Sequence, residues 1–221
     1  MGIITYTTPL LEQNMYIVVE GNNCIVIDPY YDDKVKTLLE DMSVDLLLVT
    51  HEHYDHISGV NKFKEIYGCK LLANKKCNSN LQLPTKNFSK YFEAYYEFQG
   101  DLKKTDFAFD NNYSCSADEL FEDNITFNWH GNTLFIKEVP GHSAGGNFIF
   151  LNYNILFSGD ILLDESVPAA KFPGGSKKTF TNVTLPYINS LMPDIFVYPG
   201  HGDAFVLNEY YGYFNKKGNK C

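Results

Sequence analysis

The chain has 221 residues, enough for a domain with a substantial core, and carries a formal net charge of −9. Its 44% hydrophobic and 15% aromatic content is typical of a globular protein and excludes a disordered chain. All 18 basic residues are lysines, so this acidic chain lacks the basic footprint that a nucleic-acid partner requires.

The N-terminal segment has no basic start followed by a long apolar core, and no apolar run approaches the length of a membrane span. The five cysteines are scattered and form no C-x-x-C pair, which is typical of reduced thiols. Together these features predict a cytoplasmic protein without a membrane partner.

The first part of the chain alternates strand and helix patterns. "MYIVVE" and "CIVID" are predicted strands joined by the turn "GNN", and "DDKVKTLLEDM" has helical spacing. "VDLLLVT" follows as a continuous apolar strand, buried on both faces. "GVNKFKEIYG" is predicted to be a helix that ends at Gly68, and "CKLLANKK" to be another short strand.

The second part repeats this plan. "NITFNW" and "NTLFIKEV" flank the turn "HGN", and "NFIFLN" and "ILFSGD" flank "YN". "SKKTFTNVTLPYINSLM" is predicted to be a helix that Pro186 kinks or divides, and "DIFVYPGHGD" a final strand. Two similar halves predict a single α/β domain over 1–221, in which two β-sheets pack face to face with helices outside.

A segment at about 75–120 interrupts this symmetry. Within it, "KNFSKYFEAYYEF" places five aromatic residues at helical spacing, and these give one apolar face. They are Phe88, Tyr91, Phe92, Tyr95 and Phe98. We expect this face to pack onto its own domain; the alternatives are a substrate lid and a homodimer surface.

The stretch "THEHYDH" follows the apolar strand directly and gathers histidines and carboxylates. His51 and His53 alternate along an extended chain, so both point to one side, and a tight turn can present Asp55 and His56 to a neighbouring point. Imidazoles and carboxylates suit zinc, iron or manganese. The stretch therefore predicts parts of two metal sites.

Three further candidates lie at strand ends beside glycines: His142 in "VPGHSAGG", Asp160 in "LFSGD" and His201 in "VYPGHGD". A carboxylate such as Asp160 can bridge two ions, and metals about 3.5–4 Å apart can share a nucleophilic hydroxide. By contrast, His130 lies in a predicted hairpin turn and is expected to be a surface residue.

These motifs resemble, in order, the signatures of the metallo-β-lactamase superfamily. "THEHYDH" resembles T-H-x-H-x-D-H, "PGHSAGG" resembles P-G-H-[ST]-x-G, "LFSGD" the strand-Gly-Asp element, and "YPGHGD" the last P-G-H-G. "FPGG" before a long helix and then "VYPGHG" is typical of the glyoxalase II-like (hydroxyacylglutathione hydrolase-like) branch. The resemblance covers nearly the whole chain and implies an αββα sandwich of two mixed β-sheets with outer helices.

The resemblance also implies a metal centre and a reaction. It assigns seven ligands in two sets with one shared residue: His51, His53 and His142; Asp55, His56 and His201; and the bridging Asp160. A bridging hydroxide attacks a carbonyl that the two divalent ions polarise, and Asp55 orients the hydroxide or shuttles its proton. The implied enzyme hydrolyses a small-molecule ester, thioester or lactone with zinc, or alternatively with iron or manganese.

Other functions use the same frame. The main alternative is a mononuclear iron oxygenase of the persulfide dioxygenase kind. The acidity of the chain and its lack of arginine argue against a phosphodiesterase. The intact ligand set argues against a binding protein with a relic site. Several residues are candidates for support roles with equally plain structural explanations. They are Ser143 and Ser158 as hydrogen-bond partners of ligands, and Tyr54 and Lys171 at the pocket. The tail aromatics Tyr210, Tyr211, Tyr213 and Phe214 are expected to cover the core; the alternative is that they border the pocket.

Overall fold

A computed structural model describes residues 1–98, 108–163 and 171–208. Contacts between Cα atoms group the chain into two compact units, Met1–Phe121 and Glu122–Cys221. Each unit has one six-stranded β-sheet and its own apolar core, so the prediction of an α/β chain with two mixed sheets is confirmed. The tail aromatics at 210–214 lie outside the described residues.

The first unit carries its strands in chain order across the sheet. They are β1 (Gly2–Thr7), β2 (Asn14–Glu20), β3 (Asn23–Ile27), β4 (Ser43–Leu48), β5 (Lys70–Asn74) and β6 (Glu119–Phe121). The strands β1, β2 and β3 pair antiparallel, whereas β3, β4, β5 and β6 pair parallel. Because parallel neighbours end at one edge of a sheet, the residues after β3 and β4 are brought together there.

Short helices connect these strands. They are α1 (Asp33–Leu38), α2 (Tyr54–Ile57), α3 (Val60–Tyr67), α4 (Lys75–Leu81) and α5 (Ser89–Phe98). The helix α1 is shorter than predicted because Asp32 caps its start and the chain leaves the helix at Leu39, whose side chain is buried. The predicted C-cap of α3 at Gly68 is confirmed by its left-handed backbone.

The segment after β5 differs from its prediction in two places. The predicted strand 69–76 ends at Asn74, because the Asn74 side chain accepts from the backbone N–H of Cys77 and starts α4. The aromatic helix begins only at Ser89, so Phe88 lies outside it with φ 71°. Within α5, Phe92 is buried in the core of its own unit, as expected, whereas Tyr91 is exposed.

The second unit also follows chain order, read from one edge of its sheet to the other. Its strands are β7 (Asn124–Trp129), β8 (Asn132–Glu138), β9 (Asn147–Leu151), β10 (Ile155–Gly159), β11 (Phe196–Pro199) and β12 (Phe205–Val206). All pairs are antiparallel except β10 with β11, which run parallel. The carboxyl ends of β10 and β11 therefore meet at one edge, together with the start of β9.

The predicted helix at 176–192 is divided, as its proline indicates. It consists of α6 (Lys177–Thr179), a π-helical turn (Phe180–Thr184) and α7 (Leu185–Ile188). Pro186 occupies the first turn of α7, where a missing N–H is tolerated. A π-helical turn inside a helix is uncommon and often marks a functional region.

Cysteine chemistry agrees with the sequence-based expectation. Cys24, Cys69, Cys77 and Cys115 are buried thiols. Burial raises the pKa of the Cys24 and Cys115 thiols to about 12, so both stay protonated near neutral pH. Among the described residues, no helix is long and apolar enough to cross a membrane.

Candidate metal centre

In the first unit, four of the predicted ligands lie in the loop and short helix that follow β4. His53 precedes α2 as its N-cap with extended backbone, and Asp55 and His56 lie inside that single helical turn. All four side chains are buried despite their polarity. They are His51, His53, Asp55 and His56. Burying this many titratable groups together is costly unless they bind one another or a metal.

The distances within this cluster fit metal coordination. Nε2 of His51 lies 3.1 Å from Nδ1 of His53, and Nε2 of His56 lies 3.5 Å from Oδ2 of Asp55. Two ligand atoms that hold one tetrahedral zinc at about 2.0–2.1 Å lie about 3.3–3.4 Å apart. The ligand atoms of His51 and His56 also approach within 4.8 Å. The first unit thus presents two ligand pairs side by side.

Asp28 organises this cluster, and the sequence analysis missed it. It is fully buried directly after β3, with φ 54°. Its carboxylate accepts from the backbone N–H of Thr50 at 2.6 Å, from the Thr50 hydroxyl at 2.6 Å and from Nδ1 of His56 at 2.9 Å. The sequence signal that could have revealed Asp28 is the apolar run "CIVID", which ends in an acidic residue. In the structure this residue lies beside the carboxyl end of β4.

This hydrogen-bond network determines which ring nitrogen carries the proton in two of the histidines. Because a carboxylate only accepts, the ring proton of His56 sits on Nδ1, and Nε2 becomes its metal-binding atom. The Thr50 hydroxyl gives its proton to Asp28 and can therefore accept from Nδ1 of His51 at 3.1 Å. The metal-binding atom of His51 is then Nε2, the atom that faces His53. Such outer partners fix ring orientation and ligand basicity.

The aromatic segment, at about 75–120, packs against the loop after β4 that carries the first four ligands. The Tyr54 ring packs against Phe92 and Tyr113 at centroid distances of 5.1 and 5.4 Å, and its hydroxyl accepts from the backbone N–H of Asp110. The Tyr113 hydroxyl donates to the carbonyl of Ile57 at 2.7 Å. Tyr54, a candidate for the pocket, is therefore a buried packing residue between the ligands and this segment.

In the second unit, the three remaining predicted ligands lie where strands meet. Asp160 follows β10 and His201 follows β11, and the Gly200 N–H donates to the Gly159 carbonyl at 3.0 Å. This bond continues the parallel pairing of the two strands beyond their ends. The positive φ of Gly159, 52°, turns the chain so that Asp160 leaves the strand at this edge.

Asp160 faces two different histidines with its two oxygens. Oδ2 lies 3.5 Å from Nε2 of His142, and Oδ1 lies 3.7 Å from Nε2 of His201. Both distances are close to the separation of two ligands on one metal ion. A carboxylate that faces two histidines in this way would suit the predicted bridging role between two ions.

The loop that carries His142 is held tightly by the divided helix. The Ser176 N–H donates to the Gly141 carbonyl at 2.8 Å, and the Thr184 hydroxyl donates to the carbonyl of Pro140. Gly141 lies so close to Phe180 that a Cβ there would approach the Phe180 Cβ to 2.7 Å. The π-helical turn thus packs directly against the residue before His142.

The other candidates occupy plainer positions. The Ser158 hydroxyl donates to the Leu162 carbonyl at 2.9 Å, which is local turn bonding, and Ser143 is buried with its carbonyl accepting from the Gly141 N–H. Lys171 is exposed, and so is His130, as predicted for a turn residue. Phe172, which was not singled out, lies 6.0 Å from the His142 ring.

The chain is similar in sequence to known proteins over most of its length. The family model described as the metallo-beta-lactamase superfamily matches residues 8–201. The chain is 26% identical to a probable polyketide biosynthesis zinc-dependent hydrolase, BaeB, of Bacillus velezensis, over 84% of this chain and 71% of that protein. It is 23% identical to the hydroxyacylglutathione hydrolase GloC of Haemophilus influenzae, over 95% of this chain and 94% of that protein.

The fold agrees with a solved structure. The BLEG-1 B3 metallo-beta-lactamase superposes with a TM-score of 0.76 at 22% identity, over 96% of this chain and 97% of that chain. The chain therefore belongs to the metallo-β-lactamase superfamily and has its fold, as the motifs predicted. The relatives also confirm, at the level of the family, the prediction of a metal-dependent hydrolase.

Proposed function

We propose that the protein is a dinuclear metal hydrolase that cleaves a small ester, thioester or lactone. The observation that carries the proposal is the set of four ligand pairs, two in each unit, whose ligand atoms lie 3.1–3.7 Å apart. Each of two metal sites requires several ligands, and the two pairs in each unit supply enough ligand atoms for both sites. Membership of the superfamily supports the same reaction class.

The proposed ligand assignment follows the family pattern. His51, His53 and His142 hold the first ion, and Asp55, His56 and His201 hold the second, with Asp160 shared. Zinc suits this nitrogen and oxygen set best, and iron or manganese would also bind it. The separate histidines opposite each oxygen of Asp160 support its shared role.

The chain's own residues have distinct tasks in this proposal. Two bound divalent ions lower the pKa of water and polarise a carbonyl. Asp28 and Thr50 keep the ring protons of His51 and His56 away from the metal-binding nitrogens. Asp55 orients the attacking water and takes up its proton at the carboxylate. Burial of the first-unit ligands limits bulk water and strengthens these electrostatic interactions.

The proposal is tested by a substrate panel on metal-loaded protein. Esters, thioesters and lactones, including acyl-homoserine lactones, are assayed with and without oxygen, before and after chelation and metal return. Hydrolysis without oxygen, lost on chelation and restored by zinc, is the expected result. The matched variants Asp160→Asn and Asp203→Asn should respectively abolish and retain turnover, since Asp203 is exposed. Oxygen-dependent sulfur chemistry with one iron would replace this proposal by the persulfide dioxygenase alternative.

A further inference from the structure

Phe88 has an unusual backbone conformation. Its φ is 71°, in the left-handed region that bulky residues seldom adopt. It lies directly before α5 and is neither fully buried nor fully exposed. A large side chain held in this region persists only where the surrounding structure fixes it, and such positions concentrate at functional sites.

The surroundings of Phe88 fix it from both sides. The buried Asn87 side chain donates to the carbonyls of Leu81 and Tyr113, at 3.0 and 2.8 Å. It also accepts from the backbone N–H of Ser89 at 2.9 Å. The Ser89 hydroxyl donates to the same Tyr113 carbonyl at 3.3 Å. These four hydrogen bonds hold the residues before and after Phe88 in place.

The fixed conformation directs the Phe88 ring to a predicted metal ligand. Its centroid lies 6.1 Å from that of His53. On its other side it contacts Tyr95 at 5.5 Å and Phe92 at 5.8 Å, and it reaches the exposed Tyr91 at 6.5 Å. A partly exposed aromatic surface thus begins at His53 and continues along α5. Phe88 also packs against the core of its own unit, beside the buried Phe92.

We propose that Phe88 is a specificity-determining residue, forming an aromatic wall beside His53 that selects substrates with an apolar, preferably aromatic, acyl group. The inference rests on the proposed hydrolase function, in which His53 helps to hold one of the two ions that polarise the scissile carbonyl. Aromatic rings bury large apolar areas and favour edge-to-face contact with another ring. A hydrophobic pocket of this kind distinguishes acyl groups by roughly 10–200-fold in kcat/KM.

The test compares two probes on metal-loaded protein, 4-nitrophenyl phenylacetate and 4-nitrophenyl acetate. We expect wild type to prefer the phenylacetyl ester, and Phe88→Gly to lower that preference by roughly tenfold or more, mainly through KM. Glycine adopts the positive φ without strain, so this variant should fold. Phe88→Tyr should keep the preference. The matched control is Phe109→Ala, which truncates a ring of the same cluster that packs on Phe92 and Tyr96.

A second readout does not depend on turnover. Calorimetric binding of phenylacetate and acetate should favour phenylacetate in wild type and lose that difference in Phe88→Gly, with metal content unchanged. If no ester, thioester or lactone of the panel is hydrolysed, the proposed function fails, yet the binding comparison still decides the role of Phe88. An unchanged preference in Phe88→Gly, or an equal loss in Phe109→Ala, would overturn the inference. Should Phe88→Gly not fold, Phe88→Leu replaces it, with a smaller loss of preference expected.

Discussion

The two units present metal-ligand side chains in different ways. In the first unit, four of them come from six consecutive positions after one strand, all at most 6% exposed, and Asp28 and Thr50 bond to two of them. In the second unit, three come from separate loops after β8, β10 and β11, and the His201 side chain is 26% exposed. The first set depends on local sequence and buried hydrogen bonds, the second on the pairing of β9, β10 and β11.

This difference indicates where each set is vulnerable. Replacing Asp28 or Thr50 in the first unit should act through the orientation of the imidazole rings, because these two buried residues form hydrogen bonds to His56 and His51. A change in the second unit should act through the loss of a ligand itself, because Asp160 faces both His142 and His201.

Replacing Asp160 by asparagine should have the largest effect. The amide loses one of the two oxygens that face His142 and His201, so both proposed metal sites lose a charged ligand. We expect metal affinity to fall by more than the 10–100-fold that the loss of an outer partner causes. Elemental analysis after dialysis measures it, with the exposed Asp203→Asn as control. Retention of full metal content in Asp160→Asn would contradict the bridging role.

Asp28→Asn should weaken metal binding by about 10–100-fold. Both oxygens of the Asp28 carboxylate accept hydrogen bonds, from Thr50 and from Nδ1 of His56. In asparagine one of these oxygens is replaced by an NH₂ group, which donates and cannot accept. The matched control is Asp32→Asn, because Asp32 caps α1 and asparagine is an equally good N-cap. Chelator competition measures the affinities. Equal affinity in the two variants would show that Asp28 supports the fold and not the tautomers of the ligands.

Tyr113→Phe should lower the free energy of unfolding by about 1 kcal/mol. The change removes the hydroxyl that donates to the Ile57 carbonyl and leaves that buried acceptor without this donor. Urea denaturation measures the loss, and the exposed Tyr153→Phe should stay within about 0.5 kcal/mol of wild type. Metal content should not change, so a loss of metal in Tyr113→Phe would reveal a more direct role for the aromatic segment.

The smallest effect concerns the pairing of Asp118 with Lys64. Partial burial favours the neutral acid, but the N–H of Leu71 and the Lys64 ammonium outweigh it, and the Asp118 pKa is lowered from 3.8. A lowered folded-state pKa stabilises the protein above pH 3.8 and loses its contribution as the pH falls below that value. For a partly exposed pair this amounts to less than about 1 kcal/mol.

Asp118→Asn tests this contribution, since it keeps an acceptor for the Leu71 N–H and removes the charge. Urea midpoints of the variant and wild type should differ slightly at pH 6, and the difference should be smaller at pH 3. A difference that is the same at both pH values would assign the effect to packing and not to charge.

The sequence predicted those parts of the molecule that follow from local pattern. The alternation of His51 and His53 places their ring nitrogens together, as expected, and glycine-containing loops after strands carry His142, Asp160 and His201. The first depends on the two-residue period of an extended chain and the others on glycines that follow apolar runs, and a single sequence shows both.

The remaining features depend on partners distant in sequence. Asp28 reaches Thr50 and His56 only because β3 and β4 pair in parallel, and "CIVID" alone does not reveal that partner. Phe88 fits the helical spacing of its neighbours, but the buried hydrogen bonds of Asn87 hold it outside the helix. The edge strands β1 and β12 lack a strong pattern, because no side chain of β1 is buried and β12 has only two residues.

The number of metal ions per chain tests the central claim most directly. Elemental analysis of freshly purified protein, and of the same protein reconstituted with zinc, iron or manganese, gives this number. The account predicts close to two ions per chain, held by the four ligand pairs. One iron with no further uptake would contradict the dinuclear site, and no metal after reconstitution would contradict the metal centre itself.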